Sequence, residues 1–250
     1  MNYKKPFYHF SIDDVIDSLI EVSSFDDFFS HPFFKFLDLI HKKNNTNIDL
    51  YCFYQKNIGN KLKTLNDVSD KYEETFANNP WLRFGPHALD YDSPPYAQTP
   101  DQQMQTFDSI YKEIERFSGT SSKCEFLRLH FFTESYELSS YLQTKNVHSL
   151  FTTDKPAIAY RLNDEMKSEL DLNGYVEFNK IRFIRSHFRI ETLVNENFSD
   201  SKIIELLEHY LSNFGFVTFL THECELVRPE IRKTIELIIS FLKDHQVMSI

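Results

Sequence analysis

Phe7-Tyr8-His9-Phe10-Ser11-Ile12-Asp13-Asp14-Val15 sets the pattern that the rest of the chain repeats. Its first six residues are aromatic and β-prone, the composition of a buried strand, and the run stops abruptly at two adjacent carboxylates. A helical pattern follows from Asp14 to Leu39, with a break at His31-Pro32. Val15, Leu19 and Val22, then Phe33, Phe36, Leu37 and Ile40, recur at spacings that build apolar helix faces.

The same alternation continues outward along the chain. Further strands are expected at Ile48–Tyr54, Trp81–Gly85, Glu125–Phe132, His148–Phe151, Ile181–Arg185 and Phe216–Leu220. Helices are expected at Asn66–Ala77, Thr99–Phe117, Tyr136–Gln143, Ser199–Phe214 and Arg228–Asp244. Strands alternating with helices imply an α/β fold of parallel strands covered by helices. With only 5 Gly in 250 residues, the chain has no Gly-rich phosphate loop, which argues against a nucleotide-binding doubly wound sheet. No repeat or low-complexity linker divides it, so residues 1–250 read as one domain.

Composition narrows the function classes. The balance of 27 basic and 37 acidic residues gives a net charge of −10, a field that repels nucleic-acid phosphates and anionic lipid. Cys52, Cys124 and Cys224 are odd in number and widely spaced, which reads as buried free thiols in a reducing compartment. No apolar signal-peptide core follows the N-terminal lysines, and no run approaches the roughly 18 apolar residues that would span a bilayer. A cytoplasmic location is the expectation.

The informative feature is where ionisable residues fall. Asp13 and Asp14 end the first strand, His87 follows the third, Arg128 and His130 come late in the fourth, Asp154 follows the fifth, and His222 and Glu223 follow the last. Each has an ordinary reading alone: a helix cap for Asp13-Asp14, a loop histidine for His87, a buried polar pair for Arg128 and His130, a helix start for His222-Glu223. In a parallel barrel, however, these strand ends gather on one face, where such barrels keep their active sites. Adjacent carboxylates repel unless a cation or proton intervenes, and Asp with His suits zinc or a similar divalent ion.

Phe10-Ser11-Ile12-Asp13-Asp14-Val15 resembles the first motif of the polysaccharide deacetylases, the NodB-homology or carbohydrate esterase family 4 group. Phe84-Gly85-Pro86-His87 resembles the start of the second motif, Leu127-Arg128-Leu129-His130-Phe131 the third, and Phe219-Leu220-Thr221-His222 the fifth. Asp154 is placed like the fourth-motif acid. The ordered resemblance runs from Phe10 to Glu223 and implies a distorted (β/α) barrel of about seven strands. It implies metal-dependent removal of an N-acetyl group from a sugar, with O-acetyl ester cleavage or a non-catalytic carbohydrate-binding scaffold as alternatives. Under it Asp13 is the base and Arg128 orients it. His222 is the acid, Asp154 supports it, and Asp14 and His87 bind the metal.

The departures are specific. Tyr91 stands where the family has its second metal histidine, Val15 replaces a glycine, and His130 replaces a proline of the third motif. His130 is therefore expected to be the third ligand of a divalent ion, zinc by its donor set, with Asp90 next in line. Trp81, Tyr91 and Tyr96 are candidates for stacking on the sugar rings of an acetylated carbohydrate.

Overall fold

A computed structural model of the protein describes residues 5–154 and 160–250; the residues Met1 to Lys4, read above for a leader, lie outside them. The strand β1 (Phe7–Val15) is the centre of the molecule. It pairs in parallel with β2 (Ile48–Phe53) on one side. After a small antiparallel hairpin, β3 (Gln55–Ile58) and β4 (Lys61–Thr64), the chain returns as β5 (Leu82–Ala88), parallel to β2.

A second arc contains β6 (Phe126–Leu127), β7 (Ser149–Phe151), β8 (Tyr175–Phe178) and β9 (Ile181–Ile184), in the order β6-β7-β9-β8 with only β8 antiparallel. Then β10 (Phe188–Arg189) and β11 (Phe216–His222) bring the chain back beside β1, and β12 (Met248–Ser249) adds a short edge pairing. The arcs meet at a bridge between Phe84 and Lys123, and β9 runs on within a few residues to β10. The fold is a distorted (β/α) barrel whose ladders form two arcs rather than one continuous ring.

Alternation along β1 sorts its side chains. His9, Ser11 and Asp13 point into the barrel, where His9 lies 4.2 Å from the Phe151 ring and donates to Asp49, 2.9 Å away. Tyr8, Phe10 and Ile12 join the apolar core. Gly85 matters for a different reason. A Cβ there would collide with Leu127, so glycine lets β6, which leads into Arg128, lie close against β5.

Several elements differ from the sequence expectation. The fourth strand is only Phe126–Leu127, and His130–Phe132 is a single turn of 3₁₀ helix. The long helix after β1 is a short one at Asp17–Glu21, two 3₁₀ turns and a separate helix at Pro32–Asn44. Asn66–Ala77 is helical only at Glu73–Ala77, after two 3₁₀ turns. The helices Asp164–Asn173 and Ile190–Asn195 are additional to those expected from the sequence.

Asp13 and Asp14 do not cap the helix that follows them. The free N–H groups at its start go instead to Glu223: Ile16 and Asp17 donate to Oε2 at 3.0 Å each, and Ser18 donates to Oε1 at 2.7 Å. Glu223 thus ties the chain just beyond β11 to the chain just beyond β1. Glu223→Ala leaves those buried donors unpaired and is expected to cost about 2–3 kcal/mol, read as a lower denaturation midpoint in urea. An unchanged midpoint would show that water replaces the carboxylate at no cost.

Candidate metal centre and active site

Adjacent residues of a regular strand face opposite ways, so Asp13 and Asp14 should not share a site. A bulge changes this. Between Ile12 and Val15, β1 advances by one residue more than β2, and Asp14 takes a left-handed conformation with φ 63°. The bulge turns both carboxylates toward the barrel mouth, at a backbone cost of about 1–2 kcal/mol. A second bulge lies between β2 and β5, where β5 has the extra residue: Cys52 pairs with Pro86 but Phe53 with Ala88, and His87 is left between. His130 opens a turn that continues through Phe131 and Phe132, both at positive φ.

These three irregularities converge. His87 Nε2 lies 3.2 Å from Asp14 Oδ1, His130 Nδ1 lies 3.3 Å from His87 Nε2, and His130 Nδ1 lies 3.7 Å from Asp14 Oδ1. Donors about 2.0–2.1 Å from a common tetrahedral centre stand roughly 3.3 Å apart. The opposite ring nitrogens fix the tautomers. His87 Nδ1 donates to the Arg128 carbonyl at 2.6 Å, and His130 Nε2 donates to the Tyr91 carbonyl at 2.9 Å. Both inner nitrogens then present lone pairs, facing a carboxylate oxygen that is buried without a hydrogen-bond partner among the described residues.

Three converging lone pairs with no proton between them fit a divalent ion. Burial, followed by the proximity of His87, lowers the His130 pKa to about 4, so its ring stays neutral as ligation requires. Among the described residues, Asp14, His87 and His130 are the group whose donor atoms lie close enough to hold a metal.

Beside this group, Asp13 and His222 are register partners on β1 and β11. Arg128, fully buried, reaches Asp13 Oδ1 with Nη1 at 3.1 Å, also bonds Ser11 through Nη1, and donates to Ser186 through Nη2 at 3.2 Å. Its guanidinium lies between the Tyr51 and Phe151 rings, 5.8 and 5.0 Å from their centroids. His222 Nδ1 is 2.5 Å from Glu191 Oε1. Burial pulls this ring toward neutrality, yet the hydrogen bond to Glu191 and the charges of Asp13, Glu191 and Asp14 raise its pKa to about 9.

The acid on His222 is therefore Glu191, not Asp154. Asp154 Oδ1 accepts both Nε and Nη2 of Arg189, at 3.0 and 2.9 Å. Register explains the exchange. Arg189 pairs with Leu220, and two residues further along each chain lie Glu191 and His222. The available signal is weak: the two-residue strand Phe188–Arg189 runs directly into the helix Ile190–Asn195, whose first turn carries Glu191. Asp90 does not join the metal group: its carboxylate accepts from Gln55 at 2.7 Å and from the Asp92 N–H at 3.1 Å.

The aromatic candidates separate. Tyr91 is exposed, lines the site and packs its ring 5.2 Å from His130. Trp81 sits at the other end of β5, buried and stacked on His41 at 4.3 Å, because it precedes its strand rather than following it. Tyr96 is exposed outside the cavity. Cys52 and Cys124 are buried, but Cys224 is exposed and lines the cavity, which occupies about 310 Å³.

With this geometry in place, comparison with known proteins is informative. No protein-family model matches the sequence, and no curated protein does either. Solved structures do match. A Streptococcus mutans CE4 esterase aligns with TM-score 0.56 over 98% of this chain and 85% of its own, at 11% identity. The Bc1960 peptidoglycan N-acetylglucosamine deacetylase aligns with TM-score 0.55 over 99% and 86%, at 12% identity. The chain has the polysaccharide deacetylase fold. A 4-alpha-glucanotransferase from Thermococcus litoralis shares it too, with TM-score 0.58 at 11% identity, over 98% of this chain, which spans 39% of that one. Among the described residues, no helix is long and apolar enough to cross a membrane.

The His222–Glu191 pair makes a prediction about linkage. The folded His222 pKa is raised from about 6.5 to about 9, so the pair's contribution to stability is fully present below pH 6.5 and is lost as pH rises through 9. In metal-free Glu191→Gln, the His222 ring followed by NMR should titrate at least one pH unit lower. The stability gap from wild type should close above pH 9. An unchanged titration would remove Glu191 from this role.

Proposed function

We propose that the protein is a metal-dependent hydrolase that removes an N-acetyl group from a sugar or sugar-containing precursor. The observation that carries this reading is the convergence of the Asp14, His87 and His130 lone pairs beside an arginine-held carboxylate and a carboxylate-held histidine. The fold supports it, since the matching structures include a protein named as a peptidoglycan N-acetylglucosamine deacetylase.

Asp14, His87 and His130 would hold the ion, zinc by the donor set. A divalent ion in such a site supplies Lewis acidity toward the acetyl carbonyl and the water beside it. Asp13 takes the proton of the attacking water. Arg128 holds its Oδ1, and Oδ2 makes no hydrogen bond among the described residues, so one oxygen is fixed while the other works as base. His222, protonated at neutral pH and held at Nδ1 by Glu191, gives a proton from Nε2 to the departing nitrogen. The C–N bond breaks, and acetate and a free amine leave. Asp154 acts one step further out, through Arg189. Tyr91 contributes its carbonyl to the His130 tautomer and its ring to the cavity wall.

The test is acetate release from a panel of N- and O-acetylated sugars by zinc-reconstituted protein. Asp13→Asn keeps the side-chain shape and removes the base, and His222→Ala removes the proton donor. Each should lower kcat by a factor on the order of 10² or more while the metal is retained. Full activity in either variant, or no acetate release by wild type from any member of the panel, would contradict the assignment.

A further inference from the structure

Arg189 ends β10 and lines the same cavity as Asp13, Asp14, His87, His130 and His222. The two bonds to Asp154 Oδ1 fix its guanidinium, which also lies 5.4 Å over the Phe132 ring. The side chain keeps 21% of its surface exposed, and Nη1 makes no hydrogen bond among the described residues. A guanidinium held this way has already lost its rotamer freedom, so binding a ligand through the open edge costs little further entropy.

The other charged groups around the cavity have partners, and those with open atoms have places in the proposed reaction. Asp13 is held by Arg128, whose Nη atoms are used on Ser11, Asp13 and Ser186. Glu225 is bonded by Arg228 at 2.7 Å, and His222 by Glu191. Asp14, His87 and His130 face one another. Arg189 is left, among the described residues lining the cavity, as a partly exposed guanidinium whose Nη1 edge has no part in the proposed reaction, whereas Arg128 is fully buried and His222 Nε2 is the proton donor. A neutral acetylated sugar offers only hydroxyl and amide groups, which do not call for a fixed guanidinium. A carboxylate or phosphate does, because its charge-assisted hydrogen bonds to arginine are the strong ones.

We infer that Arg189, positioned by Asp154, selects an acetylated sugar that carries an anionic group, a carboxylate or a phosphate, beside the reacting acetyl. The inference rests on reading this cavity as the deacetylase site. It is a statement about binding, so its test does not depend on turnover.

Zinc-reconstituted full-length protein is titrated calorimetrically with N-acetylglucosamine, its 6-phosphate and the corresponding 6-carboxylate, with acetate release followed in parallel. Wild type should bind at least one anionic sugar more tightly than the neutral one, by on the order of tenfold. The better of the two anions identifies phosphate or carboxylate as the source. Arg189→Gln should lose the preference, and Arg189→Lys, which keeps the charge, should retain part of it. Equal binding of neutral and anionic sugars by wild type, or no binding of either anionic sugar, overturns the inference without recourse to a variant. A preference that persists in folded Arg189→Gln also overturns it, because a group other than Arg189 then holds the anion. Anion preference without acetate release would sustain this inference and defeat the deacetylase reading; acetate release with no preference would do the reverse.

Discussion

The Glu223 carboxylate takes the first free N–H groups of the chain beyond β1, those of Ile16, Asp17 and Ser18. Helix starts leave such donors open, and aspartate is among the residues that commonly close them. Here Asp13 and Asp14 precede the helix and would be drawn into that task. A buried carboxylate distant in sequence but just beyond the neighbouring strand β11 does it instead, and the pair is released to the cavity. The same bond locks the end of β11 against the end of β1. His222, one residue before Glu223, is thereby held opposite its register partner Asp13. One capping interaction thus governs the freedom of the two acids and the position of the histidine.

The site is then assembled where the ladders break. Asp14 sits in a bulge of β1, His87 in a bulge of β5, and His130 at a turn into two left-handed phenylalanines. A regular parallel strand would send alternate residues into the helix-packed wall. Each irregularity re-aims one side chain at the mouth, and left-handed backbone at non-glycine residues persists only where the surroundings hold it. Here the surroundings are specific: the Arg128 carbonyl on His87, the Tyr91 carbonyl on His130, and Phe53 packed 5.3 and 5.0 Å from the two rings. Tyr91 occupies the position where the resemblance implies a second-motif histidine, and its backbone carbonyl sets the tautomer of His130, the proposed ligand in that histidine's place.

Much of this was legible in the sequence because it depends on strand ends. An aromatic run that stops at Asp13-Asp14, and others that stop at His87 and His222, announce a barrel face before any coordinates. His130 was legible as well, as a histidine close to Arg128 on a neighbouring strand. What was not legible depends on register and local backbone. Nothing in residues 12–15 announces a bulge, so the reading could place two acids at the mouth but not explain how both reach it. Asp154 was assigned to His222 by its place in the order of motifs. The actual partner, Glu191, follows from the pairing of Arg189 with Leu220, a long-range fact. Trp81 was misplaced for a simpler reason: a residue just before a parallel strand lies on the opposite face from a residue just after it.

The claim on which the mechanism depends is that Asp14, His87 and His130 hold one divalent ion. Anomalous diffraction at the zinc edge, from crystals grown with zinc, tests it most directly. One strong peak is expected within about 2.0–2.2 Å of Asp14 Oδ1, His87 Nε2 and His130 Nδ1 together. A well-ordered site with no peak there, or with zinc bound only elsewhere, would contradict it.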